Sequence, residues 1–223
     1  TIGRLKVLTL IKKANINNAN IFRSSSVTAP IFNVSPFTLL DYPNKTACII
    51  WFAGCNMRCQ YCYNPEIVLG KGKISYEQVL KFLGTRINLL DGVVLSGGEC
   101  LTHRGIKNFA KEIKAMGFLV KVDTNGSHPL VLQDLLQKQL VDYVSLDFKG
   151  SKRNFGEITE STFFENTIQA AKVLVGSKID FEIRTTLHSV LFMEKDVQEI
   201  LNILESIGYQ GNYYLEKYRD DKS

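Results

Sequence analysis

The sequence predicts an α/β fold: an incomplete parallel barrel of six strands alternating with five helices, open along one side. Three observations predict it. Short β-branched or aromatic runs recur six times from Thr46 onward, apolar residues at helical spacing fill the intervals, and the first five runs each end in a chemically distinctive group. Alternation of these two textures marks βαβ units around a parallel sheet. The right-handed crossover rule leaves two main arrangements, an open doubly wound sheet or a curled barrel. A doubly wound sheet gathers its site at one switch point, whereas a barrel assembles it from many strand ends. The loaded strand ends favour the barrel, and six units rather than eight leave it unclosed.

The elements follow in order. The run "TACIIWF" (46–52) leads into "AGCNMRCQYCYNP" (53–65). Val79, Leu80, Phe82 and Leu83 mark a first helix, and "GVVLS" (92–96) follows, ending in "SGGEC". Ile106, Phe109, Ala110 and Ile113 mark the second helix, ahead of "FLVKVDT" (118–124) and "DTNG". Leu132, Leu135 and Leu136 precede "DYVSLDF" (142–148), which ends in "LDFKG". Ile168, Ala171, Leu174 and Val175 precede "DFEIRTT" (180–186), and Val197, Ile200, Leu201 and Leu204 precede "NYYLEKY" (212–218). Gly117, Gly176 and Gly208 stand just past three of these helices, where C-caps are expected.

Residues 1–34 have a different composition. No Asp or Glu precedes Asp41, whereas Arg4, Lys6, Lys12, Lys13 and Arg23 do, with a serine triplet and "NINNAN" among them. Basic, hydroxyl-rich and acid-poor sequence is what organellar presequences carry, although a poorly ordered tail is the plainer reading. The expected division is therefore a leader over 1–34 and one domain over 35–223. A net charge of +5 is too small to argue for nucleic acid. No apolar run approaches the roughly 18 residues that span a bilayer. The expectation is a cytoplasmic protein with neither a nucleic-acid nor a membrane partner.

Three of the five cysteines, Cys55, Cys59 and Cys62, stand as C-x3-C-x2-C. Structural zinc prefers four ligands, usually in two separated pairs. A ferredoxin run supplies four cysteines, and a thioredoxin-type site needs only Cys59 and Cys62. Cys48 sits within an apolar run and Cys100 follows "SGGE", so neither completes a quartet well. Three thiolates on a four-iron cluster leave one iron open for a substrate or cofactor.

The spacing C-x3-C-x2-C after the first strand, with Gly-Gly-Glu after the second, resembles the radical S-adenosylmethionine (SAM) enzymes. "SPFTLLDYPNK", "FAGCNMRCQYCYNPE", "LSGGE", "VDTNGS", "VDYVSLDFKG" and "FEIRTT" together resemble the activating proteins of glycyl radical enzymes, those of anaerobic ribonucleoside-triphosphate reductase above all. The likeness spans about residues 35–218. It implies a partial (β/α)6 TIM-like barrel with a [4Fe–4S] cluster on Cys55, Cys59 and Cys62. SAM would chelate the open iron and be cleaved to a 5′-deoxyadenosyl radical that takes hydrogen from a partner's glycine. It also implies that Gly97, Gly98 and Glu99 meet the methionine end of SAM. Asp123, Thr124, Asn125, Asp147, Lys149 and Arg184 would contact its ribose, carboxylate or amino group, with Tyr63 beside the adenine. The implied electron donor is a flavodoxin or ferredoxin. The alternatives are a radical SAM enzyme acting on a small molecule, of the 7-carboxy-7-deazaguanine synthase kind, and an activator of pyruvate formate-lyase. A non-enzymatic iron–sulfur or zinc module is a third.

Two positions depart from the pattern: Asn44 stands where glycine is usual and Cys100 where proline is usual. Asn tolerates left-handed geometry, and a free cysteine commonly behaves as a small buried hydrophobe. "GKGK" (70–73) lacks the length and Ser/Thr of a P-loop and is expected as a solvated turn. His103, His128 and His188 show no metal spacing. Asp147 and Lys149 have a plainer reading as a structural ion pair.

Overall fold

The computed structural model describes residues 29–219; residues 1–28, most of the expected leader, and 220–223 lie outside the described residues. The six expected strands form as β2 (Ala47–Phe52), β3 (Gly92–Gly97), β4 (Leu119–Thr124), β5 (Tyr143–Asp147), β6 (Asp180–Leu187) and β7 (Tyr213–Lys217). The five expected helices are α2 (Tyr76–Gly84), α3 (Ile106–Ala115), α4 (Pro129–Gln137), α6 (Phe164–Val175) and α7 (Glu194–Ser206). Two five-residue helices, α1 (Pro65–Leu69) and α5 (Phe155–Thr159), are too short to leave a periodic trace. A further strand, β1 (Ile31–Thr38), begins four residues ahead of the expected domain start at 35 and pairs antiparallel with β2.

Strands β2 to β7 are all parallel, and the sheet runs β1-β2-β3-β4-β5-β6-β7 without reversal. Right-handed crossovers that always step in one direction put every connecting helix on the same face, so the sheet curls with helices outside. This is the mixed α/β, mostly parallel barrel core that the alternation predicts.

Strand residues divide by period two. On β4, Val120 and Val122 face the helices and are fully buried, whereas Lys121 and Asp123 face the lumen. The outer layer packs Val93, Leu95, Val144, Leu146 and Ile183 against Phe109, Ile113, Leu132, Leu135, Leu174 and Ile200. Each such side chain contributes about 1.5–3 kcal/mol by leaving water. A smaller cluster of Tyr42, Ala47, Ile49 and Val94 floors the lumen, with Trp51, Leu119 and Tyr143 against it. Gly92 makes room for that plug, because a Cβ there would stand 2.9 Å from Tyr42 Cε1.

Local chemistry fixes the ends. Ser75 and Gln78 form a reciprocal capping box at the start of α2. Gly117 and Gly208 adopt φ of +92° and +81°, as left-handed helix stops should. Gly176 does not; at φ −79° it stays right-handed, and Ser177 N–H closes the helix by donating to the Leu174 carbonyl. Asn44 has φ +57°, the left-handed geometry that its glycine-like position requires.

Candidate functional site

The site lies at the C-terminal ends of the parallel strands. Twelve of the thirteen residues singled out above line one cleft there: Cys55, Cys59, Cys62, Tyr63, Gly97, Gly98, Asp123, Thr124, Asn125, Asp147, Lys149 and Arg184. Glu99 is the exception. It is fully buried behind the wall, where its carboxylate accepts from Leu101 N (3.0 Å), Thr124 Oγ1 (2.9 Å) and Asn125 N (2.8 Å). It therefore ties the loop after β3 to the loop after β4 rather than facing the cleft. Burial pushes the Glu99 carboxyl up to about 7, against those three bonds.

The cysteine loop is held from three sides. Gly54 N donates to Ile67 O in α1 (2.9 Å), and Glu99 N donates to Gly54 O (3.0 Å). Arg58 N and Gln60 N donate to the carbonyls of Thr159 (2.8 Å) and Ile158 (3.0 Å), which a helix C-terminus leaves without intrahelical partners. Met57, 1% exposed, pins the middle of the loop into the core. The glycines after β3 serve this packing. A Cβ on Gly97 would stand 2.4 Å from Phe52 N, and one on Gly98 would stand 1.8 Å from Gly54 O. Both positions are filled by the backbone of the cysteine loop and its strand, so these glycines let that backbone close on β3.

All five cysteines are free, and the three of the motif are half-buried. Cys55 Sγ accepts from Met57 N at 3.4 Å and lies 3.8 Å from Asn125 Nδ2. Burial pushes the Cys55 thiol up to about 11 and raises Cys59, although the Lys149 ammonium opposes the shift at Cys59. Among the described residues, no three His, Cys, Asp or Glu side chains converge closely enough to hold a single metal ion. Cys48 and Cys100 are fully buried away from the cleft, and Cys100 Sγ donates to the Asp123 carbonyl at 3.5 Å.

Across the cleft runs a chain of alternating charges from three strands. Lys121 Nζ bonds Asp123 Oδ1 (2.5 Å), Arg184 Nη2 stands 3.9 Å from Asp123 Oδ2, Arg184 Nε bonds Asp147 Oδ1 (2.5 Å), and Lys149 Nζ bonds Asp147 Oδ2 (2.9 Å). Burial alone would raise Asp147, but Arg184 and Lys149 hold its carboxyl well below the usual range. Asp147 likewise keeps the Lys149 ammonium above its ordinary value despite burial. The ion pair of the plainer reading thus forms, and it forms in the cleft wall.

Tyr63 is half exposed at the mouth, stacked on Tyr218 with ring centres 5.1 Å apart, and its hydroxyl accepts from Arg219 N (2.9 Å). Tyr61 stacks on His188. His103 Nε2 lies 3.1 Å from Ala53 O and His128 Nδ1 lies 2.9 Å from Ser127 Oγ, so each histidine has a structural contact of its own. "GKGK" is more constrained than a solvated turn: Lys71 and Lys73 are exposed, but a Cβ on Gly72 would stand 1.8 Å from Ala29 O.

The cleft also holds residues not named individually among the expected site residues, among them Asp41, Trp51, Thr186 and Glu216. Thr186 follows Arg184 by two on β6 and is paired with Glu216 on β7. The period-two rule applied forward from Arg184 finds the first of these.

Comparison with known proteins gives the same direction. A profile of the Radical SAM superfamily matches residues 49–207. A Methanocaldococcus jannaschii protein named for glycyl-radical enzyme activation is 30% identical over 179 residues, covering 77% of this chain and 74% of its own. Pyruvate formate-lyase 1-activating enzyme of Escherichia coli K12 is 27% identical over 146 residues, 61% of this chain and 58% of its own. The crystal structure of QueE from Escherichia coli shares the fold, with a TM-score of 0.55 at 16% identity over 85% of this chain and 84% of that one.

Proposed function

The chain belongs to the radical SAM superfamily, and from that premise we propose that it activates a glycyl radical enzyme by taking hydrogen from a glycine of that partner. The observation that carries the proposal is the cleft itself. Three free thiols, a glycine pair and the chain of alternating charges meet at the strand ends of a barrel left open on one side.

The donor set fits a cluster better than a lone ion. The three thiols are free and share one cleft, one ligand short of the four that structural zinc prefers. Cys55, Cys59 and Cys62 would hold a [4Fe–4S] cluster, whose chemistry with bound SAM is one-electron reductive cleavage to a 5′-deoxyadenosyl radical. The remaining tasks fall to this chain's own side chains. Lys149 and Arg184, both steadied by Asp147, offer cations to a carboxylate. Asp123 and Asn125 offer acceptors and a donor to hydroxyl and ammonium groups. Asn125 is itself fixed by Glu99 through its N–H and bonds Asn56 Oδ1 at 3.0 Å.

The relatives refine the partner. The motif strings point to anaerobic ribonucleotide reductase, whereas the relatives above are named for glycyl-radical enzymes generally and for pyruvate formate-lyase. They favour an activator of another glycyl radical enzyme. The electron source we propose is a flavodoxin or ferredoxin.

The test is anaerobic reconstitution with iron, sulfide, SAM and reductant, mixed in turn with a pyruvate formate-lyase and an anaerobic ribonucleotide reductase. A glycyl radical doublet by EPR is expected with one of them and should vanish when that partner's radical glycine is alanine. If no doublet forms while 5′-deoxyadenosine accumulates in proportion to an added small molecule, the substrate is that molecule instead.

A further inference from the structure

The two edges of the sheet, β1 and β7, border the open side of the barrel, and they are built differently. β1 is irregular, with register shifts between Ile31 and Asn33 and between Ser35 and Thr38. Its outer side is also covered at Ile31, which donates to Ile74 O (3.2 Å) and accepts from Ile74 N (3.0 Å). Bulges and coverings of this kind are how sheets protect an edge from pairing with other chains. β7 has neither. It pairs with β6 in unbroken register from Ile183↔Tyr213 to Leu187↔Lys217, and its other edge has no strand partner among the described residues.

The direction of its free backbone groups can be worked out. Tyr218 N donates to Leu187 O on the β6 side. Successive backbone groups along a strand alternate between its two edges. Those of Tyr214 and Glu216 therefore also face β6, and those of Tyr213, Leu215 and Lys217 face outward. This bare edge is at the same time a rim of the cleft, because Glu216 and its pairing partner Thr186 both line it.

We propose that the outward edge of β7 is the docking strand for the substrate: the partner's glycine-bearing segment pairs there in extended form. The inference rests on the polypeptide-substrate reading above. A strand added to a sheet lies about 4.8 Å from its neighbour, which sets the incoming backbone beside β7 at the rim that Glu216 forms. Hydrogen transfer needs the reacting atoms roughly 3–3.5 Å apart, so a docking element at the rim leaves only a short reach. Main-chain pairing supplies affinity with little demand on sequence, and side chains along the rim supply selectivity. A second copy of this chain could pair with the same edge, but it would shut the cleft against any large substrate.

The test uses the reconstituted enzyme and a synthetic peptide centred on the glycine that takes up the radical. Hydrogen exchange at the amides of Tyr213, Leu215 and Lys217 is expected to slow by about tenfold or more on adding the peptide, with Tyr214 and Glu216 unchanged. N-methylation of alternate peptide amides should raise its Kd about tenfold, and methylation of the intervening ones should not. A peptide that receives the radical yet leaves those three amides unprotected overturns the proposal. So does protection that depends on enzyme concentration alone, which would identify a second copy. If neither peptide nor intact partner ever receives the radical, the polypeptide reading fails and this inference fails with it.

Discussion

Gly98 and Gly54 approach so closely that a Cβ on Gly98 would stand 1.8 Å from the Gly54 carbonyl oxygen. That oxygen is already engaged by Glu99 N at 3.0 Å, and the obstruction is backbone rather than a movable side chain. Gly98→Ala must therefore displace the base of the cysteine loop. The expected cost is about 1–3 kcal/mol, as for overpacking elsewhere, together with loss of most bound iron after reconstitution. Gly84→Ala is the control, since a Cβ there meets nothing within 4 Å and its φ is not positive. Equal iron content in the two variants would show that the loop tolerates the displacement.

The cysteines divide by position. Cys55→Ala, Cys59→Ala and Cys62→Ala should each abolish the cluster absorbance of reconstituted protein. Cys100→Ala should retain it together with SAM cleavage, because Cys100 is buried outside the cleft and its Sγ is turned to the Asp123 carbonyl. Removing that one buried sulfur should cost about 1 kcal/mol of stability. Loss of the cluster in Cys100→Ala alone would reassign the ligands.

Much of this was legible in the sequence, and the parts that were not have physical reasons. Alternating texture located every parallel strand because each is apolar on its helix-facing side. The cysteine spacing and the strand-end polar groups located the cleft. Glu99 lies next to Gly98 in sequence yet points the other way, and no spacing rule reveals which side of a loop a carboxylate takes. β1 escaped because "IFNVSPFT" contains a proline and two bulges that break its alternation. The tight glycines of "GKGK" respond to Ala29 and Phe32, contacts that only the folded chain creates.

Asp147 holds two cations at once, Arg184 Nε at 2.5 Å and Lys149 Nζ at 2.9 Å. Asp147→Asn takes the countercharge from Lys149 and leaves Arg184 the more distant carboxylates of Asp123 and Glu182, each 3.9 Å away, in a partly buried wall. The expected loss is about 3 kcal/mol, the range for removing one partner of a buried pair. Arg184→Ala and Lys149→Ala should lower SAM affinity by about tenfold or more, since each removes a cation proposed above to meet its carboxylate. Isothermal titration of the reconstituted variants measures this. Unchanged affinity in both would confine the network to a structural role.

Glu99 gives the pH dependence. Its carboxyl is pushed from 4.5 up to about 7 by burial, so folding favours its protonated form. The stability that this contributes is fully present below the unfolded value and is lost as pH rises through about 7. A shift of that size corresponds to something on the order of 3 kcal/mol. Glu99→Gln removes the titration, but its amide nitrogen must face one of the donors from Leu101, Thr124 or Asn125, which costs about 1–3 kcal/mol at every pH. The stability advantage of the wild type over Glu99→Gln should therefore shrink between pH 5 and pH 8, read by denaturant unfolding. An advantage that stays level across that interval would mean that the three donors outweigh burial and that Glu99 is ionised throughout, because a group that binds no proton in either state leaves stability independent of pH. In that case the tie between the loops after β3 and β4 would be a charged one, as strong at pH 8 as at pH 5.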